Sequence, residues 1–170
     1  MAAESERLLV GHGWFMAEMR PVVCVHSRRE IDDADYDQYL ALIASELDAA
    51  DGSNPALILY DVARGPGSVS AGRRKRLAQV VATRRGKLTR AVSACAVVAD
   101  SALSRGIATA LLWLISPPYE VRMVANVDEA FAWFAKLGHG LEAATLRARY
   151  DALVRACEAD PRFGAKGASA

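Results

Sequence analysis

Two short runs, residues 56–62 (ALILYDV) and 91–99 (AVSACAVVA), are apolar at nearly every position and too brief for core helices. A strand that is apolar on both faces must be covered on both, which is the situation inside a parallel sheet. Around these runs the pattern changes to helical spacing. Tyr36, Tyr39, Leu40, Ile43 and Leu47 mark a first helix, opened by an Asp of Ile31-Asp32-Asp33 and ended by 51–55 (DGSNP). Leu77, Val80, Val81 and Arg84 mark a second over about 71–85, closed by Gly86. A third, capped by Asp100 or Ser101, runs to Ile115 before Pro117-Pro118, and its stretch 107–115 (IATALLWLI) predicts a buried helix with Trp113 in the core. Residues 121–125 read as a short strand, and a fourth helix spans about 127–137.

Upstream, 13–19 and 22–25 on either side of Arg20-Pro21 predict a hairpin or edge pair, with Trp14-Phe15 on the first strand. Downstream of Gly138-His139-Gly140, Leu146, Tyr150, Leu153, Val154 and Cys157 form one stripe of a last helix over about 141–159. The order ββαβαβαβα, with that extra C-terminal helix, implies a mostly parallel five-stranded sheet in an α/β domain with right-handed crossovers. The expected division is a domain over 1–138, an added helix over 139–160 and a disordered tail over 161–170. The added helix packs on its own domain or on a second copy as a homodimer.

The chain has 170 residues, enough for one domain that buries a core without disulfides or metals. Cys24, Cys95 and Cys157 are odd in number and lie in apolar surroundings, so they read as buried thiols. Together with a beginning (MAAESERLLV) unlike a signal peptide, they lead to the expectation of a cytoplasmic protein. The longest apolar stretch is nine residues, whereas a membrane-spanning helix needs about 20. His12, His26 and His139 stand apart, without ligand spacing or a zincin pattern, so no metal and no cofactor is expected. Ser, His and Asp residues show no triad spacing, and an enzyme is the third-ranked reading.

The order of elements and several local features resemble the STAS superfamily, the fold of anti-sigma-factor antagonists and SpoIIAA-like proteins, over about residues 11–137. In that family a buried strand ends in Asp, and a loop leads to an Asp-Ser-Ser-Gly signature at the next helix. Here Leu57-Ile58-Leu59-Tyr60-Asp61 matches the strand, and Val69-Ser70-Ala71-Gly72 falls on the signature. Asn126-Val127-Asp128-Glu129-Ala130-Phe131-Ala132-Trp133-Phe134 is similar to the "D-E-A-x-x-W-L" helix start of SpoIIAA-like members. The resemblance implies a regulatory or scaffold module that binds a protein through the loop and the start of the second helix. It also points to Ser70 or Ser68 as a phosphorylation position, although the signature's Asp is Val69 here and its second Ser is Ala71.

Charge is distributed very unevenly. Between Asp61 and Asp100 there is no acidic residue, while Arg64, Arg73, Arg74, Lys75, Arg76, Arg84, Arg85, Lys87 and Arg90 are basic. From Glu30 to Asp51 the reverse holds, with eight acidic residues and no Lys or Arg. The basic segment reads either as a solvated face balanced by the acidic helix or as a docking surface for an acidic protein. On the second reading the partner-binding residues are Arg64, Gly67, Ser68, Ser70, Gly72, Arg73, Arg74 and Arg76. The spacing Gly67 to Gly72 is that of a phosphate loop, but Arg73 and Arg74 replace its Lys and hydroxyl, which argues against nucleotide hydrolysis. Nucleic acid is disfavoured, because the segment has no aromatic residue for stacking and net charge is only +1. The alternative function is a carrier of a small apolar or anionic ligand held beside the sheet, near Ser68, Ser70 and the second helix.

Overall fold

The computed structural model describes residues 8–28, 31–62, 70–138 and 140–164. Six strands form one mixed sheet in chain order: β1 (Leu8–Gly11), β2 (Trp14–Met19), β3 (Val22–Ser27), β4 (Ala56–Asp61), β5 (Val92–Val98) and β6 (Glu120–Val124). The first three are antiparallel and β3 through β6 are parallel. The expected five-stranded sheet is therefore corrected to six, because Leu8–Gly11 adds an outer strand beyond β2. That strand moves Trp14 and Phe15 away from the edge, and both side chains are almost wholly buried. Gly11 is needed there, since a Cβ at this position would overlap the Trp14 indole.

Seven helices complete the described residues. They are α1 (Asp33–Ala49), α2 (Ala71–Thr83), α3 (Arg85–Ala91), α4 (Ala102–Ile115), α5 (Val127–Lys136), α6 (Ala143–Glu158) and α7 (Pro161–Gly164). Local chemistry sets their starts. The side chains of Asp32, Ser70, Ser101 and Asn126 each accept a hydrogen bond from a backbone N–H in the first turn of α1, α2, α4 and α5. The second helix differs from its expected span: it stops at Thr83, and Gly86 lies inside the separate α3 rather than terminating α2. Within the expected tail, Pro161–Gly164 form the helix α7, and the Phe163 carbonyl accepts a backbone hydrogen bond from Gly13 N–H.

The two faces of the sheet are filled differently. On one, Leu57 and Leu59 of β4 and Ala94, Ala96 and Val98 of β5 meet α5 and α6 in a single core. Small residues at 94 and 96 leave room for the fully buried rings of Phe131 and Phe134. From α6, Leu146, Tyr150 and Leu153 are buried in the same core, at about 2 kcal/mol each. The helix is thus part of its own domain's interior. On the other face, α1, α2 and α3 cover β2 through β5 with smaller clusters around Tyr39 and Leu47.

The fourth helix breaks the pattern. It packs against α2 and stands off the sheet, and none of its residues is buried. Trp113, expected in the core, is 83% exposed, and Leu103 and Leu114 are 70% and 54% exposed. An apolar sequence on all sides does not distinguish a helix enclosed by protein from one whose neighbours leave space beneath it.

Candidate functional site

The basic face is largely neutralised by the acidic helix beside it. Arg73 Nε donates to Asp33 Oδ1 at 3.0 Å, and Arg76 reaches Asp33 at 2.8 Å and Asp37 at 3.0 Å. At the other end of α1, in its last turn, Asp48 holds both Arg84 at 3.1 Å and Lys87 at 2.6 Å. These guanidinium and ammonium groups keep the Asp33 and Asp48 carboxyls below their ordinary range. Arg73 and Arg76 also lie over the Tyr36 ring, at 5.4 and 5.5 Å from its centroid. Of the residues expected to bind a partner, Ser70 caps α2 by accepting from Arg73 N–H at 3.3 Å, and Gly72 opens onto space. Arg74 is exposed, as is Lys75, and neither has an ion-pair partner among the described residues. Arg64, Gly67 and Ser68 lie outside the described residues.

Behind this clamp is a cavity of about 1160 Å³ between the sheet and helices α1, α2 and α4. Strand alternation builds its floor. Leu57 and Leu59 point to the closed core, so Ile58 and Tyr60 point the other way, joined by Val25, Cys95 and Val97. Tyr39 and Ile43 of α1, Leu77 of α2, and Ile107 and Leu111 of α4 form the walls. Packed interiors leave few voids larger than a water molecule. The space opens to solvent between the helices, so water fills it when no ligand does.

The polar groups deepest in the cavity are neutral. Tyr39 and Tyr60 share a hydroxyl–hydroxyl hydrogen bond at 2.8 Å, and Tyr119 and Cys95 line the same wall. Burial raises all three phenols well above the ordinary tyrosine value and pushes the Cys95 thiol up to about 12. The charged lining residues are Glu18, Arg20, Glu46, Asp51 and Arg73. Of these, Glu18 and Arg20 pair with each other, and Arg73 is held by Asp33.

A second polar cluster lies on the opposite face, at the C-terminal ends of β3 and β4. Tyr150 Oη of α6 donates to Asp61 Oδ2 at 2.5 Å, and His26 Nδ1 faces the same oxygen at 3.0 Å. A carboxylate acceptor assigns the imidazole proton to Nδ1, and the buried Nε2 has no partner among the described residues. Phe15 stacks on the ring at a centroid distance of 5.0 Å. Asp61 thus ties two strand ends to α6. Sequence reasoning weighed His26 and Asp61 separately; their places at the ends of paired strands were the signal that would have joined them.

The comparisons with known proteins agree with this architecture. The SpoIIAA-like family profile matches residues 22–135, from β3 into α5. The chain belongs to the SpoIIAA-like family. A crystal structure of an uncharacterized protein from Shewanella loihica PV-4 with a SpoIIAA-like fold superposes with a TM-score of 0.52 at 15% identity. The match covers 78% of this chain and 98% of that one. No curated protein matches the sequence. The matched region, a STAS-type domain, is thus preceded by the antiparallel strands β1 and β2 and followed by α6 and α7. The described residues contain no helix long and apolar enough to cross a membrane, and no cluster of metal-ligating side chains.

Proposed function

We propose that this SpoIIAA-like domain is a carrier or sensor of a small apolar ligand, which it holds between the sheet and helices α1, α2 and α4. The observation that carries the reading is the cavity of about 1160 Å³. Ligand pockets span roughly 300–1,000 Å³ and are mostly apolar with a few placed polar groups, and this lining has that character. A binding role suits its chemistry better than a catalytic one. The Cys95 thiol, pushed up to about 12, keeps its proton at neutral pH and is a poor nucleophile. The half-buried α4, which packs against α2 and stands off the sheet, is the element that would admit the ligand, because moving it gives up little packing.

Native mass spectrometry of the protein purified from its host is expected to show a non-covalent adduct. Val97→Trp, which projects an indole into the cavity from its floor, is expected to abolish the adduct while the circular dichroism spectrum is retained. An adduct that survives this substitution would place the ligand elsewhere.

A second reading, docking of an acidic protein at the start of α2, is favoured by the exposure of Arg74 and Lys75 beside the ion-paired Arg73 and Arg76. It predicts that capture of such a partner is lost on reversing Arg74 and Lys75 to Glu. Ser70, exposed at the helix start, is the position where phosphorylation would oppose that docking.

A further inference from the structure

The cavity's polar groups define the class of ligand as well as its place. The inference rests on the carrier reading and adds to it the charge and head-group chemistry of what is carried. Tyr39 and Tyr60 hold two hydroxyl protons between them, and their mutual hydrogen bond at 2.8 Å uses one. Neither hydroxyl has another hydrogen-bond partner among the described residues. The pair therefore still has one O–H to donate and lone pairs to offer to the mostly apolar space it lines. The hydroxyls already partner each other, and the O–H left over gains a hydrogen bond when the occupant brings one polar acceptor.

The occupant's polar group must also be uncharged. Tyr39, Tyr60, Tyr119 and Cys95 all keep their protons at neutral pH, so the inner wall has no fixed charge to pair with an ion. Arg73, the lining cation nearest the start of α2, has its Nε occupied by Asp33 and its guanidinium over Tyr36. An ionised carboxylate or phosphate drawn to the tyrosine pair would leave water with only neutral hydroxyls in exchange, which favours its staying outside. An ammonium head seated on the tyrosine pair would lose its hydration in the same way, because the lining carboxylate Glu46 is about two helical turns from Tyr39 along α1 and Asp51 lies beyond the end of that helix.

We infer that the ligand is a neutral amphiphile, an apolar chain or ring system ending in an alcohol, carbonyl or ester, with that group hydrogen-bonded to the Tyr39–Tyr60 hydroxyl pair. The anionic branch of the carrier expectation is set aside on this ground.

The test uses the full chain and the fluorophore N-phenyl-1-naphthylamine, displaced by decan-1-ol, by decanoate and by decylammonium at neutral pH. Decan-1-ol is expected to displace the dye at concentrations at least about tenfold below either ion, following the cost of desolvating a charge. The double variant Tyr39→Phe/Tyr60→Phe keeps both rings and removes both hydroxyls. It is expected to bind the dye as before and decan-1-ol about two- to tenfold more weakly, the range of one net hydrogen bond. Decanoate matching decan-1-ol, or a double variant indifferent to the alcohol, would overturn the inference and leave the carrier reading intact. A wild-type protein that takes up neither dye nor alcohol would overturn the carrier reading itself.

Discussion

Truncating one large side chain on each face of the sheet measures how differently the two faces are packed. Phe134 is fully buried against Phe131 and Trp133, with ring centroids 6.4 and 5.4 Å away. Replacing it with Ala leaves a hole that its neighbours cannot fill, at a cost of roughly 3–5 kcal/mol. For a chain of this size each kcal/mol lowers Tm by about 2–4 °C, so the loss is about 6–20 °C. Leu111 of α4 faces the cavity and is only half-buried. Leu111→Ala enlarges a space that already exists, and Ala is the better helix former, so the cost is expected to stay below about 1 kcal/mol. Urea unfolding of ligand-stripped protein, followed by circular dichroism, gives both values, and an unchanged m-value keeps them comparable. A Leu111→Ala cost equal to that of Phe134→Ala would mean that α4 is packed onto the sheet in solution. The cavity argument would then fail.

Tyr150→Phe removes the hydroxyl that donates to Asp61 and is expected to cost about 1.5–3 kcal/mol in the same unfolding assay, as for a hydrogen bond to a charged group; a loss below about 0.5 kcal/mol would show that the carboxylate is satisfied without this hydroxyl. The α1–α2 clamp predicts acid sensitivity: because the folded-state Asp33 and Asp48 values lie below the ordinary one, their contribution is present above the unfolded carboxylate value of about 3.9 and is lost as pH falls through the lower folded values. Melting curves across that window are expected to flatten in Asp33→Asn and in high salt, and an unchanged slope would show that the ion pairs are idle.

Much of the architecture was legible in the residues. Runs apolar on both faces at 56–61 and 92–98 are interior strands of a parallel sheet, because only such strands have no solvated side. Asp32 and Ser101 announced helix starts because a side-chain acceptor satisfies orphan N–H groups locally, without help from the rest of the fold. The charge asymmetry was equally plain, yet its meaning was not. Only the juxtaposition of α1 and α2 shows that Asp33, Asp37 and Asp48 are spent on Arg73, Arg76, Arg84 and Lys87.

Other features belong to tertiary structure alone. Pattern records that a side chain prefers to leave water, and it is silent about whether a neighbour arrives to receive it. Phe134 and Trp113 are both large aromatics on apolar helices, but one is enclosed by α6 and the sheet and the other faces solvent. Likewise Tyr39 and Tyr60, 21 residues apart, become one hydroxyl pair only because α1 crosses β4 at that height. The amino-acid order determined which elements form and which faces are apolar. The distance at which α4 stands from the sheet, and hence the cavity and its chemistry, was decided by how those elements pack, since a void is a property of several neighbours and of no single residue.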